Sequence, residues 1–324
     1  ALSRLTYGPT PVERQRVAEM GLAAWIEAQL APNSIDDSAT FWRLRRFDSL
    51  TLDASALETW RPRFFERGPQ DGVPRELQQA SLIRQVYSHR QLYEVLVEFW
   101  SDHFHTFIGK EDLWFLKTVE DREVIRPHVL GSFRTLLEAS ATSPAMLIYL
   151  DNQVNDRAAP NENYARELLE LHALGGDGGY TQADIMALAE CLTGWTVRDH
   201  WFKGRFIFKP DMHSPGDKTV LGQVIPESGK DEVLQVLDLL AEHPSTAEFI
   251  ATKLVRRFIA DPPPAELIAL TARAFQQSHG DLLATVRTLL LDGLVARPDL
   301  VQPRYKRPIH YVVGALRQLA AETD

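Results

Sequence analysis

The stretch Asn161-Glu162-Asn163-Tyr164-Ala165-Arg166-Glu167-Leu168-Leu169-Glu170-Leu171-His172 decides the fold. Advanced by about 100° per residue, as in an α-helix, it sorts into two arcs. Glu162, Asn163, Arg166, Glu167 and Glu170 share one arc. Tyr164, Ala165, Leu168, Leu169 and Leu171 share the other, with His172 on the apolar side. This is the pattern of a helix with one face toward a core. The run Gly175-Gly176-Asp177-Gly178-Gly179 ends it, and Thr181 opens a second helix reaching about Leu192.

The same spacing governs most of the chain on either side. Thr10-Pro11 reads as a cap and first-turn proline for a helix over 12–30, and 75–107 reads as one long helix. Shorter helices are expected at 113–120, 131–140 and 145–150. Further ones are expected at 230–242, 245–259, 264–278, 281–291 and 306–321, separated by punctuation such as Pro262-Pro263-Pro264. The segment 61–74, with Arg61-Pro62, Gly68-Pro69 and Gly72-Val73-Pro74, reads as a surface loop and candidate lid. The period changes to two within 195–221, where Thr196-Val197, Arg205-Phe206-Ile207-Phe208 and Thr219-Val220-Leu221 alternate like short strands. The expected fold is therefore all-α: one large multi-helix domain over 1–324 with a small β-hairpin insert around 195–221.

Composition narrows the function classes. The 324 residues are 44% apolar and 24% charged, which excludes disorder and leaves ample material for a core. Thirty-five basic against 44 acidic residues give a net charge of −9, which argues against nucleic acid as a partner while leaving room for a local basic pocket. No apolar run approaches the roughly 18 residues of a transmembrane segment. Cys191, the lone cysteine, excludes an intrachain disulfide and a cysteine-rich metal centre. Phosphate-loop, dinucleotide, nucleophile-elbow and His-Glu-x-x-His motifs are absent. The opening Ala1-Leu2-Ser3-Arg4, without methionine or a positively charged apolar leader, suits a processed or trimmed chain.

Three polar clusters carry candidate chemistry. On the 161–172 helix, Glu167 and Glu170 lie one turn apart with Arg166 between them, a pattern suited to dividing acid and base roles. The plainer alternative is a solvated face laced by Glu162–Arg166 and Arg166–Glu170 pairs. The second cluster, Phe99-Trp100-Ser101-Asp102-His103-Phe104-His105, offers His103 as acid, base or ligand, against the commoner fate of a core histidine. The third surrounds His213 and Lys218 on a glycine- and proline-bearing loop suited to a phosphate, carboxylate or sugar, or to an ordinary turn. Trp100, Trp195 and Trp201 stand near these clusters as candidate sugar platforms, although core filling is the usual role of tryptophan.

The chain resembles a large bacterial family, domain of unknown function 1800, over nearly its full length. The likeness rests on Leu2 to Thr10, Phe99-Trp100 with Asp102-His103-Phe104, Met146 to Asn152, Pro160 to His172, Tyr180 to Asp184, Leu192 to Thr196, His213, Lys218 to Gly222 and Lys306-Arg307-Pro308. It implies no activity. It implies an exported bacterial protein and shifts weight toward Asp151, Asn152, the Glu162–Glu170 run, His103 and His213 as a site. Ser101 and His310 depart from the family pattern, where His and Glu are common.

These readings lead to one expectation. The protein is an extracytoplasmic, periplasmic or secreted hydrolase working through paired carboxylates, most plausibly a glycoside hydrolase acting on a polysaccharide. Glu162 or Glu167 would be the acid and Glu170 or Asp151 its counterpart, with His103 beside them. Asn152, Asn163, Arg166, Trp100, Trp195, His213 and Lys218 would bind the carbohydrate. No cofactor is expected. The alternatives are an enzyme holding a divalent metal on His103, Glu162, Glu167, Glu170 and His213, and a non-enzymatic surface or assembly protein.

Overall fold

Two capping boxes start helices where the sequence places them. The Glu13 backbone N–H donates to Thr10 Oγ1 at 3.1 Å while the Thr10 N–H donates to the Glu13 carboxylate at 2.8 Å. Thr181 and Asp184 repeat the arrangement. The computed structural model describes residues 1–60, 69–197 and 204–322. Among them lie 17 α-helices: α1 Leu2–Leu5, α2 Pro11–Met20, α3 Leu22–Gln29, α4 Ser38–Leu44, α5 Ala54–Thr59, α6 Pro69–Tyr87, α7 Gln91–His103, α8 Leu113–Glu120, α9 Phe133–Ala141, α10 Pro144–Tyr149, α11 Glu162–Glu167, α12 Gln182–Cys191, α13 Asp231–Glu242, α14 Pro244–Phe258, α15 Ala265–Gln277, α16 Leu282–Thr288 and α17 Pro308–Gln318. Of the described residues, 65% are helical, as the apolar spacing requires.

The departures have local causes. The helix expected over 12–30 divides at Gly21, whose φ of 86° ends α2. The long helix expected over 75–107 breaks at Ser88, whose hydroxyl donates to Asp37 at 2.9 Å and accepts from the Arg90 N–H at 3.0 Å. Such side-chain bonds compete with the helical ladder. Residues 69–74, read as part of a loop and lid, instead begin α6, with Pro74 in its second turn. The rest of that reading, 61–68, lies outside the described residues.

Three helices run on into π-helical turns: 121–125 after α8, 168–173 after α11 and 289–295 after α16. In the second, the Leu174 N–H reaches back five residues to the Leu169 carbonyl at 2.7 Å. The wider turn changes which side chains face inward. Leu171, placed by regular spacing on the apolar arc, is 49% exposed, while His172 and Leu174 are buried.

Among the described residues, the small β insert is present and consists of two antiparallel hairpins. Strand β1 (Trp195–Val197) pairs with β2 (Phe206–Phe208), Trp195 opposite Phe208. Strand β3 (Lys218–Val220) pairs with β4 (Gln223–Ile225), just past the expected boundary. Leu221, expected in a strand, is in the turn with φ 51°, beside Gly222 at φ 74°. Its N–H is held by Asp184 Oδ1 at 2.7 Å.

One continuous cluster of buried apolar side chains extends from Leu5 to Val313 and includes Trp100, Trp195, Tyr164, Phe133 and Phe258. Buried Arg317 ties α17 to the start of the chain. It donates to the Gly8 carbonyl at 2.6 Å, to the Val86 carbonyl at 2.5 Å and to both oxygens of Glu13 at 2.7 and 2.9 Å. Gly8 faces Gly314, and a Cβ on Gly8 would come within 2.7 Å of the Gly314 Cα, so both glycines are needed for this approach. That anchoring sets the beginning of α17, and His310 with it, against α7.

Candidate functional site

Glu162, Arg166, Glu167 and Glu170 are all half-buried. Arg166 donates to Glu162 Oε2 at 3.0 Å and to Gln182 Oε1 at 2.9 Å, with side chains 42% and 35% exposed for Arg166 and Glu162. Gln182 also donates to Glu162, at 2.5 Å. Of the two pairs of the plainer reading, this is Glu162–Arg166. Burial, then the charge of Glu170, raise the Glu167 carboxyl, against a lowering by Arg166.

Most of the remaining sequence-predicted residues have partners within the fold or lie in its core. Asp151 is ion-paired to Lys110 at 2.6 Å. Asn152 is buried and donates to the carbonyls of Leu192 at 3.2 Å and Trp195 at 2.8 Å. Exposed Asn163 donates to the Leu150 carbonyl at 3.1 Å. Trp100 and Trp195 are both 0% exposed, so neither presents a face to a sugar. Their bulk fills the core, as tryptophan ordinarily does. Trp201 lies outside the described residues.

His213 and Lys218 meet a residue the sequence did not single out. Glu232, on α13 and fully buried, pairs with His213 Nε2 at 3.0 Å and Lys218 Nζ at 2.8 Å. His213 Nδ1 faces the Thr193 carbonyl at 2.8 Å. Burial alone would raise the Glu232 carboxyl, but Lys218 and His213 hold it below the ordinary range. The cluster ties the hairpins to α13 and to Thr193 at the end of α12. Among the described residues, no group of three or more His, Cys, Asp or Glu side chains gathers in a form able to hold a metal ion. The ligand set of the metal reading is thus dispersed.

His103 does reach a cleft. It is buried, with Nε2 at 3.0 Å from the His172 carbonyl and Nδ1 at 2.7 Å from Lys253 Nζ. The carbonyl can only accept, so Nε2 carries the hydrogen and Nδ1 accepts from Lys253. Burial, then Lys253 and His172, push the His103 pKa well below its usual value, and the ring is neutral. The cleft beside it has a volume of about 300 Å³. Glu98 and Asp102 enter from α7, and Lys253, Arg256 and Arg257 from α14. Arg304, Arg307 and His310 close it from the chain leading into α17. A second hollow of about 230 Å³ shares Arg257, Arg304 and His310 and adds Arg4 and Lys306.

Helical spacing builds these walls. Glu98 and Asp102 are four residues apart, and Lys253, Arg256 and Arg257 stand at i, i+3 and i+4, so each group shares a face. Glu98 accepts from His310 Nε2 at 2.6 Å and from the Tyr7 hydroxyl at 3.2 Å. Burial would raise the Glu98 carboxyl, but His310, Arg257 and Arg307 hold it below the ordinary range. Arg307 bonds Asp102 at 2.8 Å. Both acids are therefore engaged by cations, and five cationic side chains face three acids, Glu98, Asp102 and Asp261. This reverses the sign of a chain carrying −9 overall. The basic stripe on α14 was the available sequence signal; Glu98, Arg304 and His310 gave none that marks a site.

A mainly helical protein with a basic cleft between two helices and the approach to a third is the class these features define. The chain belongs to the family described as protein of unknown function (DUF1800), whose model matches residues 1–324, its whole length. No curated protein and no solved structure matches it. Among the described residues, no helix is long and apolar enough to cross a membrane.

Proposed function

We propose that the cleft binds a small molecule through a phosphate or carboxylate group. The observation that carries this reading is the convergence of Lys253, Arg256, Arg257, Arg304 and Arg307 on one cavity in an acidic protein. Guanidinium groups suit these anions because their N–H donors match the paired oxygens. Calorimetric titration of the full chain with inorganic phosphate and with citrate tests it and separates the two anions. Saturable binding that weakens as salt rises is expected. Arg304→Ala and Arg307→Ala should each weaken it roughly tenfold or more, the worth of one charge-assisted hydrogen bond. Binding unchanged in both variants would remove the cleft from consideration.

A second reading keeps the extracytoplasmic glycoside hydrolase on the α11 face. It is supported by the raised Glu167 carboxyl beside Glu170, since glycoside hydrolysis pairs an acid of raised pKa with a second carboxylate. Glu167→Gln and Glu170→Gln should each abolish polysaccharide cleavage with little change in folding. Full cleavage by both variants would end this reading.

A further inference from the structure

Lys253 differs from the other buried or half-buried lysines of known partner. Lys110, Lys117 and Lys218 each lie within 2.8 Å of a carboxylate oxygen. Among the described residues, Lys253 has no carboxylate within ion-pair distance, and its hydrogen-bond partner is an uncharged ring, His103 Nδ1 at 2.7 Å. The His172 carbonyl fixes that ring by accepting from Nε2, so the Nδ1 lone pair always faces the lysine. With one N–H committed to His103, the lone pair of the neutral amine is directed away from the ring. The amine lines the cleft together with Arg256, Arg257 and Arg307.

We propose that Lys253 is a carbonyl-reactive amine and that the cleft takes a small anionic aldehyde or keto acid, which Lys253 Nζ captures as an imine. The proposal rests on the anion-binding reading above. The arginines would hold the carboxylate or phosphate, leaving the carbonyl carbon to the lysine. In the step, the nitrogen lone pair forms a bond to the carbonyl carbon, giving a carbinolamine. The carbon–oxygen bond then breaks, and the oxygen leaves as water with the two hydrogens the amine has given up. No oxidant or reductant takes part. The environment favours the reactive form: burial, and then Arg256 against an opposing effect of Asp102, bring the Lys253 pKa down to about 8. Desolvation and a neighbouring cation are the established means of activating a lysine nucleophile.

The test is reductive trapping on the full chain. The protein is incubated with glyoxylate, an anionic aldehyde, or with uncharged acetaldehyde, in the presence of cyanoborohydride, and adducts are mapped by peptide mass spectrometry. Lys253 should be labelled by glyoxylate roughly tenfold or more faster than exposed Lys230 and Lys306, because the arginines hold the carboxylate beside an activated amine. Its preference over those lysines should be smaller with acetaldehyde, and inorganic phosphate should slow its labelling by glyoxylate. Labelling of Lys253 by glyoxylate no faster than Lys230 would overturn the proposal. Phosphate titration on the same preparation tells that failure from failure of the anion site: binding intact with no selective adduct removes the imine alone.

Discussion

Glu232→Gln should lower the melting temperature by several degrees. The glutamine keeps the shape of the side chain but removes the charge that balances Lys218, whose side chain is 1% exposed and whose other polar contact is the Ser214 carbonyl at 2.5 Å. The carboxylate also accepts from the backbone N–H groups of Ser228 at 3.1 Å and Gly229 at 3.2 Å, so the loop leading into α13 depends on it. Removing one member of a buried pair costs about 3–5 kcal/mol, because the partner is left buried and uncompensated. An unfolding entropy of about 2.1 cal/mol/K per residue turns that cost into about 4–7 °C for a chain of 324 residues. The folded-state pKa of Glu232 is lowered, so its contribution is present above the unfolded value, near 4.3, and is lost as pH falls through the folded value. The gap between parent and variant should therefore be full at pH 7 and narrow on acidification. Scanning calorimetry of both proteins at pH 7 and in acid reads this directly. A variant melting within about 1 °C of the parent at pH 7 would refute the reasoning, since a lost buried pair must cost more.

Three further outcomes follow from the same geometry. Arg317→Met should cost about 3–5 kcal/mol in chemical denaturation at an unchanged slope, since it strands Glu13 and the carbonyls of Gly8 and Val86. Trp100→Ala should cost about 3–5 kcal/mol by the same measurement, for it empties a fully buried site and removes the bond to the Val129 carbonyl. Glu162→Ala should cost less than about 1 kcal/mol, as an exposed i,i+4 pair contributes little and salt screens it.

The sequence by itself determined the helices and several of their ends. Apolar spacing of 3.6 residues, Thr10 and Thr181 with their reciprocal acids, and the glycine run after His172 are local signals that act within a turn or two. The expected helix at 113–120 coincides with α8 for that reason. The polar arc of Glu162, Arg166 and Glu167 was equally legible, but the same pattern serves a pocket or a solvated face. What lies across from each face is set by the tertiary structure. It buried Trp100 and Trp195, turned His213 and Lys218 onto Glu232, and gathered Glu98, Lys253, Arg257, Arg307 and His310 from parts of the chain more than 200 residues apart. Burial and charge convergence are set by which helices pack together, through buried Arg317 and the Gly8–Gly314 approach among others, and periodicity along one helix carries no information about its neighbour.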